Sequence, residues 1–182
     1  AASVGASFTG KLAVTGTSGP GLALKSETIS LALSAELPLV IVNVQRGGPS
    51  TGLPTKPEQS DLMFALYGRH GESPLPVIAA KSPSHAFYAA YEASRIALKY
   101  MTPVILLSDN YVATGSEPWN LPKIEELNNL DTNIITKLNT EDGFLPFLRN
   151  VDTFARPWAL PGTPGLESVS YTHLRAHETS PH

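Results

Sequence analysis

Cysteine is absent from the chain. It therefore holds no disulfide, no thiolate-ligated iron–sulfur cluster and no cysteine nucleophile. Electrons leaving a reaction here through clusters would need those clusters on another polypeptide. Charge is also scarce: Asp, Glu, Lys and Arg make up 16% of 182 residues, which points to surface reserved for a partner. A net charge of -3 gives no general electrostatic reason to bind nucleic acid or an anionic membrane, so neither is an expected partner. No apolar run is long enough to cross a bilayer. The opening Ala1-Ala2-Ser3-Val4-Gly5 lacks the basic region of a secretory leader, and a cytoplasmic location is expected. The first residue is not Met and the chain opens inside what reads as a helix, so a segment of a longer protein is expected.

Chemical signatures are missing as well. There is no G-x-S-x-G elbow for a hydrolase triad, and neither a G-x-G-x-x-G turn nor a Walker A loop for nucleotides. His173 and His177 have the spacing of a helical metal pair beside Glu178, but a third ligand is lacking. No metal site is expected from them.

What is present alternates strand with helix. A hydrophobic fraction of 42% suffices for a core. Val- and Ile-rich runs at 12–15, 39–44, 77–80 and 104–107 suit buried parallel strands, and three of them follow a Pro at position 38, 76 or 103. Helical stretches are expected at 20–37, 60–67 and 83–101. In the last, Ser82 suits the N-cap and Pro83 the first helical position, with Ala86, Ala90, Ala93, Ala97 and Tyr100 on one face. The fold class is α/β, a parallel sheet with helices on both faces. Residues 116–167 change character: rich in Pro, Asn and Asp, they read either as an extended arm held by Trp119 and Trp158 and directed towards a neighbouring domain or subunit, or equally as a floppy linker.

Two glycine-rich segments emerge at the carboxyl edge of this sheet, where open parallel sheets bind ligands. Gly16-Thr17-Ser18-Gly19-Pro20-Gly21 follows a strand and opens a helix. Glycine permits close approach there and Pro20 suits a first turn; alone, the segment reads as a tight structural turn before it reads as a ligand site. Gln45-Arg46-Gly47-Gly48-Pro49-Ser50-Thr51-Gly52 follows the next strand. A single Arg among small residues suits a carboxylate or phosphate, which a guanidinium grips with two hydrogen bonds. His70, alone in a loop, reads as a hydrogen-bonding residue. Asn43 and Asn110 fall where variation is expected and are assigned no role.

Taken in order, Thr17-Ser18-Gly19-Pro20-Gly21, Glu36-Leu37-Pro38-Leu39-Val40-Ile41-Val42, Gln45 through Thr55, Asp61-Leu62 and Tyr67-Gly68-Arg69-His70-Gly71-Glu72 resemble one family. Lys99 through Asp109, Gly115-Ser116-Glu117-Pro118-Trp119 and Pro161 through Glu167 continue the likeness. It is the alpha subunit of 2-oxoacid:ferredoxin oxidoreductases, the 2-oxoglutarate type being nearest. The resemblance implies a pyrimidine-type thiamine-diphosphate fold over residues 1–115, paired with a pyrophosphate-binding domain on a beta subunit. It implies thiamine diphosphate with Mg2+ between the two, oxidative decarboxylation of a 2-oxoacid to an acyl-CoA with coenzyme A as co-substrate, and electrons passing through an iron–sulfur cluster on a partner chain to ferredoxin. By the same resemblance Arg46 binds the substrate carboxylate, and Thr17, Ser18 and Gly19 line the cofactor pocket.

Two departures matter. The family's glutamate that bonds the aminopyrimidine ring, and its substrate-contacting threonine, both belong upstream of residue 1, and Glu27 and Glu36 are misplaced to replace the former. No catalytic residue is therefore assigned within the chain, which alone is expected to be inactive. Residues 168–182 break the family pattern and read as a non-native tail. The competing reading is a non-catalytic α/β subunit-interaction domain whose loops bind only a partner chain.

Overall fold

Four parallel strands form the centre of the molecule, seen in a computed structural model that describes residues 1–141 and 143–167. They are β1 (Ala13–Thr17), β2 (Leu39–Gln45), β3 (Val77–Ala79) and β4 (Pro103–Asp109), in the spatial order β1-β2-β4-β3. All seven residues of β4 are buried, which is why the central strands read as unbroken apolar runs. The ladder outlasts the hydrophobic pattern. Gln45 still pairs with Asp109, and Val44 with Ser108, so β2 and β4 extend past the expected ends at 44 and 107. Backbone pairing holds them there while the side chains turn polar.

Helices cover both faces. On one side lie α1 (Ala2–Phe8), α2 (Gly19–Leu24), α3 (Ser26–Ser34) and α4 (Leu62–Tyr67). There Leu22, Ile29, Ala32 and Ala65 pack with Leu39, Ile41, Ile105 and Leu107 of the sheet. On the other side α5 (Pro83–Tyr100) sets Ala89, Ala93 and Ala97 against Val40, Val104 and Leu106. The two faces alternate along β2, as the two-residue period of a strand requires.

Three expectations are corrected. The buried line of α5 runs through Ala89, Ala93 and Ala97, whereas Ala86 and Ala90 are half-buried and Tyr100 is 43% exposed. The helix approaches the sheet along its i, i+4 row of methyl groups, and Tyr100 in the last turn falls outside that contact. The helix expected over 20–37 is divided at Lys25, whose backbone (φ -100, ψ 1) leaves the helical region. It ends at Ser34 because Glu36 takes a left-handed conformation (φ 56), with the Leu37 N–H returning to the Ala32 carbonyl at 2.9 Å. The start of α5 agrees with the sequence: Ser82 Oγ accepts from the His85 N–H at 3.3 Å.

The arm lies against this same domain. After α6 (Asn110–Thr114) it contains a 3-10 turn (Ile124–Glu126) and two short paired strands, β5 (Ile134–Ile135) and β6 (Trp158–Ala159). Trp119 meets Phe87 of α5 at 5.2 Å between ring centroids, and Trp158 meets Phe8 of α1 edge-on at 5.1 Å. Both tryptophans therefore hold the arm to its own sheet-and-helix core. His173, His177, Glu178 and the tail from 168 lie outside the described residues.

Candidate functional site

The carboxyl ends of β1, β2 and β4 converge at one edge. Thr17 ends β1, and Ser18 is extended (φ -136, ψ -179) before Gly19 opens α2, with Pro20 in its first turn. Gln45 ends β2, Arg46 begins the loop that closes at Asp61, and Asp109 ends β4. An open cleft of about 350 Å³ lies between them, lined by Thr17, Ser18, Gln45, Arg46, Pro54 and Asn110 among others. A neighbouring cleft of about 550 Å³ is lined by Gly19, Pro20, Arg46, Ser50 and Asp61. Arg46 is the wall common to both. Thr17 and Ser18 share a cleft with it, and Gly19 faces the adjoining one.

Arg46 is half-buried, and its Nε is buried with no hydrogen-bond partner among the described residues. An unmet buried donor costs about 1–3 kcal/mol. The rest of the loop is tied to itself: Gly47 N–H donates to the Lys56 carbonyl at 2.8 Å and Gly48 N–H to Glu58 Oε2 at 2.8 Å. The Gly48–Pro49 peptide is cis.

Beneath the loop runs a polar network. Asn43, wholly buried within β2, donates from Nδ2 to Asp61 Oδ2 at 2.9 Å. Gln59 Nε2 donates to Asp109 Oδ2 at 2.5 Å, and Asp109 Oδ1 caps α6 through the Val112 N–H at 2.9 Å. Burial pushes the Asp109 carboxyl up, but hydrogen bonds from Gln59 and from the Val112 and Tyr111 amides outweigh it. The group is more acidic than an ordinary aspartate.

The β1 turn is built by close approach. A Cβ on Gly19 would lie 2.9 and 3.0 Å from the Asp61 carboxylate oxygens, and one on Gly21 would lie 2.1 Å from Thr17 Oγ1. Lys25 Nζ donates to Thr17 Oγ1 at 3.1 Å, so the break between α2 and α3 returns a cation to the turn.

Sequence reasoning missed Lys25, Asp61, Asn43 and Asn110. Asn43 had a signal, an amide inside the apolar run Leu39-Val40-Ile41-Val42-Asn43-Val44. Asn110 lines the Arg46 cleft and donates to the Thr55 carbonyl at 3.0 Å; nothing in its local sequence marks it. His70 is exposed and lines neither cleft. Among the described residues no group of three or more His, Asp and Glu side chains gathers to hold a metal ion, and no helix is long and apolar enough to cross a membrane.

Comparison with known proteins shows the family and the fold. Residues 1–154 match the family model described as pyruvate flavodoxin/ferredoxin oxidoreductase, thiamine-diphosphate-binding. The chain is 54% identical over 166 residues to the 2-oxoglutarate oxidoreductase subunit KorA of Mycobacterium tuberculosis, covering 91% of this chain and 25% of that one. It is 47% identical over 124 residues to the 2-oxoglutarate synthase subunit KorA of Archaeoglobus fulgidus, covering 68% of this chain and 36% of that one. A solved 2-oxoglutarate:ferredoxin oxidoreductase from Magnetococcus marinus, with 2-oxoglutarate, coenzyme A and succinyl-CoA bound, superposes with a TM-score of 0.81 at 34% identity, over 97% of this chain and 33% of that one. The chain thus spans between a quarter and a little over a third of these proteins.

Proposed function

The chain belongs to the pyruvate flavodoxin/ferredoxin oxidoreductase family, in its thiamine-diphosphate-binding domain, and from that premise we propose that it forms one wall of the catalytic cleft of a 2-oxoacid:ferredoxin oxidoreductase. The reaction is oxidative decarboxylation of a 2-oxoacid, 2-oxoglutarate in this reading, to an acyl-CoA with electrons to ferredoxin. The names of the relatives and the molecules bound in the Magnetococcus structure support that substrate. Thiamine diphosphate, when bound, supplies the carbanion-stabilising chemistry that loss of carbon dioxide from a 2-oxoacid requires.

The residues present fit half of such a site. Thr17, Ser18 and Gly19 form a polar, narrow wall in which Gly19 and Gly21 leave no room for a side chain; they are assigned to the cofactor. Arg46 is assigned to the substrate carboxylate, because a guanidinium offers paired donors that match two carboxylate oxygens. Its part is to bind and orient. The pyrophosphate and its Mg2+ are assigned to a beta subunit that closes the cleft, the iron–sulfur cluster to a partner chain, and the complex to the cytoplasm.

The observation that carries this proposal is the position of Arg46, which lines both the cleft that Thr17 and Ser18 also line and the neighbouring one. The test is ferredoxin reduction by the complete complex containing this chain, with 2-oxoglutarate, pyruvate and branched-chain oxoacids compared in the presence and absence of coenzyme A. Coenzyme A-dependent reduction, fastest with 2-oxoglutarate, is expected. An assembled, cofactor-loaded complex inert towards every 2-oxoacid would leave the non-catalytic interaction domain in its place.

A further inference from the structure

Gln45 immediately precedes Arg46 and is 5% exposed. Both ends of its amide are engaged. Nε2 donates to the Ser108 carbonyl of β4 at 3.2 Å, and Oε1 accepts from the Asp61 backbone N–H at 2.9 Å. Asp61 is where the loop begun by Arg46 closes, and Asn43 holds its carboxylate at 2.9 Å. One buried amide therefore fastens the start of the loop, its end and the neighbouring strand at a single point. Between these ends the loop is tied to itself, through the Gly47 N–H to Lys56 and the Gly48 N–H to Glu58. It contains no helix or strand, and residues 49–60 are exposed. Gln59 to Asp109 and Asn110 to Thr55 tie the loop to the end of β4 and the start of α6.

We propose that Gln45 is a positioning residue for the substrate: by closing the base of the 46–61 loop onto β4, it holds the Arg46 guanidinium where a 2-oxoacid carboxylate meets it. The inference rests on the proposed role of Arg46. Recognition by a planar two-pronged group is sensitive to small displacements, and a side chain carried on an exposed loop keeps its place only through such supporting hydrogen bonds.

The experiment uses the complete complex, with Arg46→Ala, Gln45→Leu and Gln45→Glu compared at equal thiamine diphosphate content. Gln45→Leu removes both hydrogen bonds and should raise KM for the oxoacid about tenfold, with kcat and KM for coenzyme A within about twofold of wild type. Gln45→Glu keeps the acceptor for Asp61. Protonated, the introduced carboxyl can donate to the Ser108 carbonyl as the amide did; ionised, it cannot. Burial against that carbonyl raises its pKa, so KM for the oxoacid should climb about tenfold as pH rises through it, a step absent from wild type and from Arg46→Ala. That pH step decides the matter even where Gln45→Leu fails to assemble. If Arg46→Ala raises KM while both assembled Gln45 variants leave it unchanged, or lower kcat and cofactor content together, Gln45 has no positioning role. If Arg46→Ala itself leaves KM unchanged, the carboxylate assignment fails first, and this inference with it.

Discussion

Arg156 and Glu36, 120 positions apart in sequence, meet at 3.0 Å through Nε and Oε2. Arg156 also donates to the Ala35 carbonyl at 3.0 Å, and Arg149 takes the other carboxylate oxygen of Glu36 at 2.5 Å. The Arg156 guanidinium lies 5.4 Å from the Phe147 ring and 5.1 Å from Trp158. Glu36 occupies the left-handed turn between α3 and β2. One carboxylate in the core turn thus gathers two arginines of the arm, and the arm's docking depends on a residue far from it in the chain.

Glu36→Gln should therefore loosen the arm without disturbing the sheet. The pairs are partly solvated, with Glu36 at 23% and Arg149 at 51% side-chain exposure, so the loss is expected to be about 1 kcal/mol after screening. Proteolysis within 144–157 should accelerate while amides of β2 and β4 keep their exchange protection. Equal acceleration throughout would mean that the clasp supports the whole fold.

Asp109 sets a pH dependence. Its folded-state pKa is depressed, so the stability it contributes is present above the unfolded value of about 3.9 and is lost as pH falls through the folded value. Asp109→Asn should lower stability by about 1–2 kcal/mol at pH 7, through loss of a charged helix cap and of the acceptor for Gln59. The gap between wild type and variant in urea unfolding should close below about pH 4. A gap that persists in acid would assign the effect to packing.

The sheet and its covering helices were legible because hydrophobic pattern and backbone agree: four apolar runs became four parallel strands. The two candidate loops were legible because strand ends place them at one edge, and Thr17, Ser18 and Arg46 do line one cleft. What was not legible depends on tertiary hydrogen bonds. Asn43 finds Asp61 eighteen positions on, and Lys25 folds back to Thr17; neither spacing carries a signature. The break at Lys25 was hidden for the same reason, since its local sequence suits a continuing helix.

Gly21 tests the packing of the turn after β1. In Gly21→Ala the new Cβ falls 2.1 Å from Thr17 Oγ1 and 3.1 Å from Lys25 Nζ, a clash worth about 1–3 kcal/mol. Alanine's better helix propensity returns roughly 0.5–1 kcal/mol. Adding Thr17→Ala removes the obstructing hydroxyl, so the double variant should be more stable than Gly21→Ala alone. A double-mutant cycle in urea would show that coupling. Strictly additive effects would mean that the turn relaxes some other way.

Arg46 gives the decisive kinetic prediction. Arg46→Ala removes the guanidinium from the cleft, and Arg46→Lys retains charge but loses the two-pronged geometry. A charge-assisted hydrogen bond contributes about 1.5–3 kcal/mol, so Arg46→Ala should lower kcat/KM for the oxoacid at least about tenfold in the assembled complex, with Arg46→Lys between the two. The fold should persist, because Arg46 is a half-buried loop residue outside both hydrophobic clusters and its Nε has no hydrogen-bond partner among the described residues to lose. Thiamine diphosphate affinity should stay near wild type, since Thr17 ends a different strand and Ser18 follows it. The comparison that matters is kcat/KM at constant cofactor occupancy. Wild-type kcat/KM in Arg46→Ala, or a loss traced wholly to failed assembly, would make the Arg46 loop an interface element and remove it from substrate recognition.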